Sequence, residues 1–555
     1  MSAMNATRVR GCFGAAAAVL GILAVTRAPQ VGDTGLYANE ISPYLGQAPG
    51  KELWEFGHLL LRPMGWALAS LLQPVLHGMT DWTPGMQVIA VLTAVNVLTS
   101  LVTVVLWYLL SLEWSSSPRV AWMVTLAFAC GHGFLMYSHT GTAYVPGLAC
   151  VSASFYAAQK RRPVWAGAFY GLGAALWFPY VLSGAGLMLA AAGPKEWGKS
   201  WLAGFRSLEV PRALWFVGAG AGVLLAAYGV GADFRGISTV AEFRAWLADS
   251  SHGWTQTLSV MRLGTGLPRS FLFLGRDGVL YRRYLFHDPY APVGMLDLVQ
   301  ASLWKIAAFG VFALMLAHQV FRKPVWISVL LAVTVLPVLY FAVFLFEPGS
   351  PERYLPVMPM LLVATVGVFR EGKWGWPQWT VAAFLLAVAG NNLYAFWAPR
   401  IEEQNRKELA RIAELRPRLS PQSLVVMATN QDLILETTGR LPFNAINRPF
   451  PFPLYDAVEI GNVSMDAWQR RFTRKMLEVW GKGGEIWISQ RLWQPVPRPE
   501  WFWVEGERSA SWSQMAGFFA RVEADAEEGG ADGFRRVPDN AANRQWFSQF
   551  AGAAP

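Results

Sequence analysis

The sequence predicts a mainly α, polytopic membrane protein of about eleven transmembrane helices, followed by a small α/β domain. Three observations carry that expectation. The 555-residue chain is 54% hydrophobic but only 15% charged, with a mean hydropathy of +0.29, whereas a soluble protein is about 25% charged. Apolar runs recur through residues 1–399 at lengths suited to a bilayer core of roughly 30 Å. The charge is unevenly divided: residues 400–555 hold 20 basic and 20 acidic residues, so the whole formal +9 lies in the apolar part. Basic residues scattered between hydrophobic segments mark the inner loops of a membrane protein and do not form a nucleic-acid surface. Cys12, Cys130 and Cys150 all lie in apolar stretches, so no disulfide or cysteine–metal framework can be read.

Taken in order, Arg8 and Arg10 precede the apolar run Gly11–Thr26. This resembles a secretory signal, but Arg27 and Pro29 stand where cleavage needs small residues, so an uncleaved first helix is expected. Further spans are predicted at Gly85–Leu110, Val120–Tyr137, Ala143–Ala158, Val164–Tyr180, Val181–Ala192, Ala213–Val230, Ala301–Val320, Val325–Phe346, Leu355–Phe369 and Trp376–Trp397. The apolar segment His58–Leu76 contains Arg62, Pro63 and Pro74 and reads as a re-entrant or interface-lying pair of short helices. If it does not cross, fourteen basic residues and four acids fall on the cytoplasmic loops. If it crosses, every later basic cluster moves outside. The positive-inside rule thus selects eleven spans, with the N-terminus cytoplasmic and residues 400–555 extracytoplasmic at a plasma or inner membrane. The outer loops are then 27–84, 138–142, 231–298 and 347–356. Loops as long as 231–298 are usually functional, and their convergence predicts an active cavity at the outer surface. No internal repeat is visible, which disfavours a transporter of inverted halves.

The first outer loop reads Gly32-Asp33-Thr34-Gly35-Leu36-Tyr37-Ala38-Asn39-Glu40, then Trp54-Glu55-Phe56-Gly57-His58, with Arg62-Pro63 beyond. A carboxylate just past a membrane helix is placed to serve as a general base at the interface; an Asx turn or helix cap is the commoner use of Asp before Thr-Gly. His132 and His139, seven residues apart, share a helix face. With Asp33, Glu40 or His58 they could hold a divalent metal, although bonding to backbone or water is the usual role. No Walker loop or nucleophile elbow is present, so an ATP-driven pump and a serine hydrolase have no support.

Asp33 with Tyr37 and Glu40, the His58-Leu-Leu…Pro63 segment and the late Glu352-Arg353-Tyr354-Leu355-Pro356 resemble the membrane glycosyltransferases of the GT-C fold. That class includes protein O-mannosyltransferases and aminoarabinose transferases of lipid A. The resemblance covers roughly residues 8–397 and rests on the order and sidedness of short motifs. It implies a polyprenyl-phosphate sugar donor, a glycan, lipid or protein acceptor, and an acidic first-loop residue as base or acceptor-positioning group. On that basis Asp33 and Glu40 are the catalytic candidates, and Tyr37, His58, His139 and Tyr354 line the cavity. The sequence departs from the family pattern in having Asp33-Thr34 for an Asp-Glu pair. It also lacks a second carboxylate in the turn Ser138-His139-Thr140-Gly141-Thr142. Another acceptor, His139 as base, or an inactive member are the readings this leaves open.

A leaving polyprenyl phosphate needs cations. Arg353 suits this because its planar fork can hold two phosphate oxygens; a local ion pair with Glu352 is the alternative. Arg283, with Arg262, Arg269, Arg276 and Arg282, offers further cations in the long loop, most of them expected in surface ion pairs. Lys305, about one turn inside a span, could snorkel to the phosphate.

In the outer domain, Arg400–Arg418 has helical spacing, Ser423–Thr429 and Gly484–Gln490 read as strands, and Gln431–Thr438 as a helix. Trp493, Trp501, Phe502, Trp503, Trp512 and Trp546 could stack on sugars, though core packing and interface roles are commoner. The tail after Arg521 is polar and Gly-rich, and is expected to be mobile. The function expected from all this is sugar transfer from a polyprenyl phosphate, the alternative being a non-catalytic binding or assembly subunit.

Overall fold

The structure is a computed structural model that describes residues 3–28, 33–79, 84–194, 200–249, 260–274, 294–321, 326–342, 351–369, 375–401, 423–427, 452–453, 465–489, 517–525 and 534–552. Helix α1 (Ala3–Val25) packs against the 32-residue α4 (Pro84–Ser115). Between them lie α2 (Thr34–Ile41) and α3 (Leu61–Met79). The expected pair of short helices at His58–Leu76 is therefore a single helix. Pro63 sits in its first turn, where a proline is tolerated, and Pro74 is accommodated inside it. Leu71, Leu72 and Val75 are exposed on one side.

The predicted span Val120–Tyr137 is broken. Helix α5 (Pro118–Ala129) and α6 (His132–Ser138) meet at 64°, because Gly131 is extended (ψ 136°) between them. Then follow α7 (Tyr144–Gln159), α8 (Pro163–Leu176), α9 (Gly184–Ala192), α10 (Trp201–Arg206) and the 26-residue α11 (Val210–Arg235). Helix α12 (Val240–Asp249) and α13 (Val260–Phe271) lie within the long loop, which closes on the helical turn Met295–Leu298. A short π-turn, Val299–Leu303, leads into α14 (Trp304–Phe321). The last membrane elements are α15 (Trp326–Tyr340), the 3-10 segment Pro351–Val357, α16 (Met358–Phe369) and α17 (Trp376–Phe396).

Among the described residues, six helices are long and apolar enough to cross a membrane, or seven if the bent α5–α6 pair is one span. This falls short of the eleven expected. Helices α7, α8 and α15 have 16, 14 and 15 residues, which at 1.5 Å per residue reach about 21–24 Å, less than a bilayer core. The predicted span Val181–Ala192 is instead a 3-10 turn, Phe178–Ser183, running into the nine-residue α9. The long helices carry exposed apolar side chains, including Leu225 on α11, Leu314 on α14 and Leu386 on α17. Water would not tolerate so much exposed apolar surface on a soluble protein; the chain is a multi-pass membrane protein.

In the C-terminal domain β1 (Leu424–Met427), β2 (Phe452–Pro453), β3 (Ile486–Ser489) and β4 (Phe534–Val537) form one sheet in the order β2-β1-β3-β4. The first three are parallel and β4 is antiparallel to β3. Helix α18 (Met465–Gly481) and α19 (Ala541–Ala551) complete the core with Phe472, Phe518 and Phe547. Both predicted strands are present. The segment expected as a mobile tail instead supplies β4 and α19, because Phe534 and Val537 are buried at the two ends of β4 and Phe547 and Ala551 recur at helix spacing on a buried face. Trp546 packs against this core. The predicted helices Arg400–Arg418 and Gln431–Thr438 lie outside the described residues apart from residues 400–401, and Trp493, Trp501, Phe502, Trp503 and Trp512 lie wholly outside them.

Candidate active site

Asp33 occupies the N-cap position of α2, yet its side chain makes no capping hydrogen bond. Its Oδ2 accepts instead from the Tyr144 hydroxyl at 3.0 Å, while the residue stays exposed. The neighbouring Thr34 is fully buried and its Oγ1 accepts from the Gly141 amide at 2.7 Å. That bond fastens the first loop to the turn 138–142. A Cβ at Gly141 would lie 2.7 Å from the Thr34 methyl, so the close approach depends on glycine.

Tyr144 opens α7 and is held from several directions. Its ring is edge-on to Tyr137 at 4.8 Å and to Trp177 at 4.9 Å, and its carbonyl accepts from the Tyr180 hydroxyl at 2.8 Å. Tyr137, on α6, donates its hydroxyl to Glu352 Oε2. Glu352 stands 3.9 Å from Arg353 Nε, and the Arg353 guanidinium lies 5.9 Å from the Trp177 ring centre. Two touching tyrosines thus connect the Asp33 carboxylate to the Glu352–Arg353 pair.

A second branch reaches the same tyrosine. Arg62, 6% exposed, places Nε 2.9 Å from Glu40 Oε2 and NH2 2.7 Å from Glu55 Oε2. Glu55 Oε2 is also 3.2 Å from His58 Nδ1. The His58 ring lies between Tyr37 (5.7 Å) and Tyr144 (6.3 Å), and Arg62 sits over the Tyr37 ring at 5.2 Å. Burial, followed by the negative charge of Asp33 and Glu55, holds the Tyr37 phenol well above its ordinary value. It stays protonated and can act only as a hydroxyl at neutral pH.

Of the residues expected in the site, Asp33, Tyr37, Glu40, His58 and Arg353 belong to this one network. Tyr354 is buried beside Arg353 in the 3-10 segment. His139 belongs elsewhere: its Nε2 is 2.8 Å from Thr26 Oγ1 at the end of α1, and burial and nearby Arg27 push its imidazole down. His132 Nδ1 meets the Arg269 carbonyl. His132 opens the seven-residue α6 and His139 caps its other end, about 10 Å along the axis, so the two do not converge. Among the described residues, no three His, Cys, Asp or Glu side chains come together as metal ligands. Lys305 donates Nζ to the Phe273 carbonyl at 3.1 Å. Arg283, Arg276 and Arg282 lie outside the described residues, as does the side chain of Arg262.

Sequence reasoning did not single out Tyr137, Tyr144, Trp177 or Glu55, and treated Arg62 only as an argument against a span. A signal for the last two was present: an arginine in an apolar segment demands a counter-ion, and Glu52 and Glu55 precede it closely. No protein-family model matches the chain, and none of the curated proteins matches it.

Proposed function

We propose that the chain is an integral membrane glycosyltransferase that moves a sugar from a polyprenyl phosphate to an acceptor hydroxyl at the extracytoplasmic face. One observation carries the reading: the first-loop carboxylate Asp33 and the late Glu352-Arg353 pair, far apart in sequence, meet on the Tyr144–Tyr137 couple. The exposed Asp33 oxygen is the acceptor's base, and Tyr144 fixes the carboxylate's orientation. The acceptor oxygen bonds to the anomeric carbon, the carbon–phosphate oxygen bond breaks, and the electron pair leaves on the polyprenyl phosphate. The acceptor's proton passes to Asp33. Arg353 stabilises the departing phosphate charge. Glu352, joined to Asp33 through Tyr137 and Tyr144, adds a second carboxylate to the network, which favours this reading over a non-catalytic assembly subunit. The proposed orientation puts the N-terminus in the cytoplasm and the C-terminal domain outside, as the basic loops favour.

The test is sugar transfer by purified protein in liposomes with radiolabelled polyprenyl-phosphate sugars. Asp33→Asn should lower turnover by about 10²- to 10⁴-fold, the range of general-base catalysis, at unchanged protein level. Wild-type turnover in that variant would remove Asp33 from the mechanism.

A further inference from the structure

At the opposite end of the bundle from Asp33 on α7, the chain gathers a different set of charges. The turn between α7 and α8 reads Lys160-Arg161-Arg162. Arg161 holds a left-handed backbone (φ 59°), a strained conformation for a residue with a Cβ. It is kept there by bonds from NH1 to the Gly193 carbonyl (3.0 Å) and from NH2 to Glu209. Glu209 immediately precedes α11 and also pairs with Arg212 Nε at 2.9 Å. Lys160 and Arg8 share Glu113 at the end of α4. Four basic residues (Arg8, Lys160, Arg161, Arg212) thus surround two carboxylates, and Arg162, exposed beside Arg161, adds to the excess of positive charge.

Beneath this layer α8 and α11 run parallel in close contact. A Cβ at Gly167 would lie 2.1 Å from the Phe216 carbonyl, and one at Gly171 would lie 2.7 Å from that of Gly220. The close packing places Arg162 and Arg212 above neighbouring helix starts. Three residues on from each is a tryptophan, Trp165 at 59% exposure and Trp215 at 63%, and Val164 and Leu214 beside them are also exposed. Residues three apart share a helix face, so α11 presents Arg212 over Trp215, and Arg162, the N-cap of α8, stands at the same end above an exposed apolar first turn. This is the vertical order of a phospholipid, phosphate above and acyl chain below, and tryptophans favour that depth.

We propose that the start of the α8–α11 pair binds an anionic phospholipid, its phosphate between Arg162 and Arg212 and its acyl chains along Leu214 and Trp215. The excess positive charge selects an anionic headgroup over a zwitterionic one. The site is independent of sugar transfer and would persist in an Asp33→Asn protein.

The experiment is native mass spectrometry of the full-length protein in detergent, titrated with phosphatidylglycerol or phosphatidylcholine. Wild-type protein should hold phosphatidylglycerol about tenfold more tightly, and Arg162→Gln/Arg212→Gln should remove that preference. Arg119→Gln, a charge loss on α5 equal to that of Arg162→Gln alone, should change it less than about twofold. Were the double variant to misfold, Arg162→Gln alone, at an exposed position, should still weaken phosphatidylglycerol about threefold. An unchanged preference in the arginine variants would overturn the proposal. So would equal binding of both lipids by wild-type protein, or displacement of phosphatidylglycerol by millimolar inorganic phosphate, which would mark a site for a free anion.

Discussion

Asn392 on α17 is fully buried, and its side chain joins three parts of the chain. Its Nδ2 donates to the carbonyls of Cys130 (2.8 Å) and Phe271 (2.7 Å). Its Oδ1 accepts from the Phe273 amide (2.8 Å) and from Asn391 Nδ2 (2.9 Å). Asn392→Ala deprives two carbonyls and one amide of this partner. At about 1–3 kcal/mol for each buried group so stranded, the cost would be about 3–9 kcal/mol. Side-chain hydrogen bonds in membrane proteins average about 0.6 kcal/mol, so four of them set a floor of about 2.4 kcal/mol. The expected loss is therefore about 3–4 kcal/mol, read as the shift in unfolding free energy when purified protein in mixed micelles is titrated with sodium dodecyl sulfate. Asn391→Ala, at a half-buried neighbour that bonds the Phe273 carbonyl at 3.2 Å beside Lys305, should cost no more than about 1 kcal/mol. A loss below about 1 kcal/mol for Asn392→Ala, or equal losses for the two variants, would refute the role of this asparagine as the tie between these segments.

Arg62→Met would leave Glu55, and in part Glu40, without their cation. It should destabilise by about 3–5 kcal/mol, and adding Glu55→Gln should recover part of the loss in the same titration. Gly167→Ala drives a methyl against the Phe216 carbonyl and should cost about 1–3 kcal/mol, whereas Gly218→Ala, with open space at its Cβ, should stay within about 1 kcal/mol of wild type; equal effects would contradict the α8–α11 contact. In the C-terminal domain, hydrogen bonds from Lys482 (2.7 Å) and Lys475 (3.1 Å) hold the Glu478 carboxyl below its ordinary value. A depressed carboxylate adds stability above its unfolded-state value and loses it as pH falls through the folded-state value. The site is largely exposed, so Glu478→Gln should cost less than about 1 kcal/mol at pH 7, with the difference closing below pH of about 4 in thermal melts.

The long apolar helices were legible because twenty or so apolar residues in a row have few stable fates outside a bilayer. The break between α5 and α6 was not, since Val120–Tyr137 is apolar on both sides of Gly131. The extended backbone at Gly131 leaves the Cys130 carbonyl to a residue 262 positions later, and no local pattern records that partner. The same limit explains the C-terminal tail: glycines and charges between Arg521 and Gly533 hide the fact that Phe534 pairs with Ser489 and Phe547 stacks on Trp480.

At the candidate site the titratable residues were readable and their supports were not. Asp33, Glu40, His58 and Arg353 stand out as charged or ionisable groups amid apolar sequence. Tyr137 and Tyr144 sit inside apolar runs and look like core residues, which they also are. Their hydroxyls make the difference: Tyr144 reaches Asp33 across 111 positions and Tyr137 reaches Glu352 across 215. A buried hydroxyl without a partner costs free energy, so each tyrosine both requires a polar acceptor and dictates where that acceptor sits. Glu352, distant in sequence, is thus joined to Asp33 through the two tyrosines. A member of the site set apart in sequence enters through Tyr137, the last tyrosine before the turn 138–142.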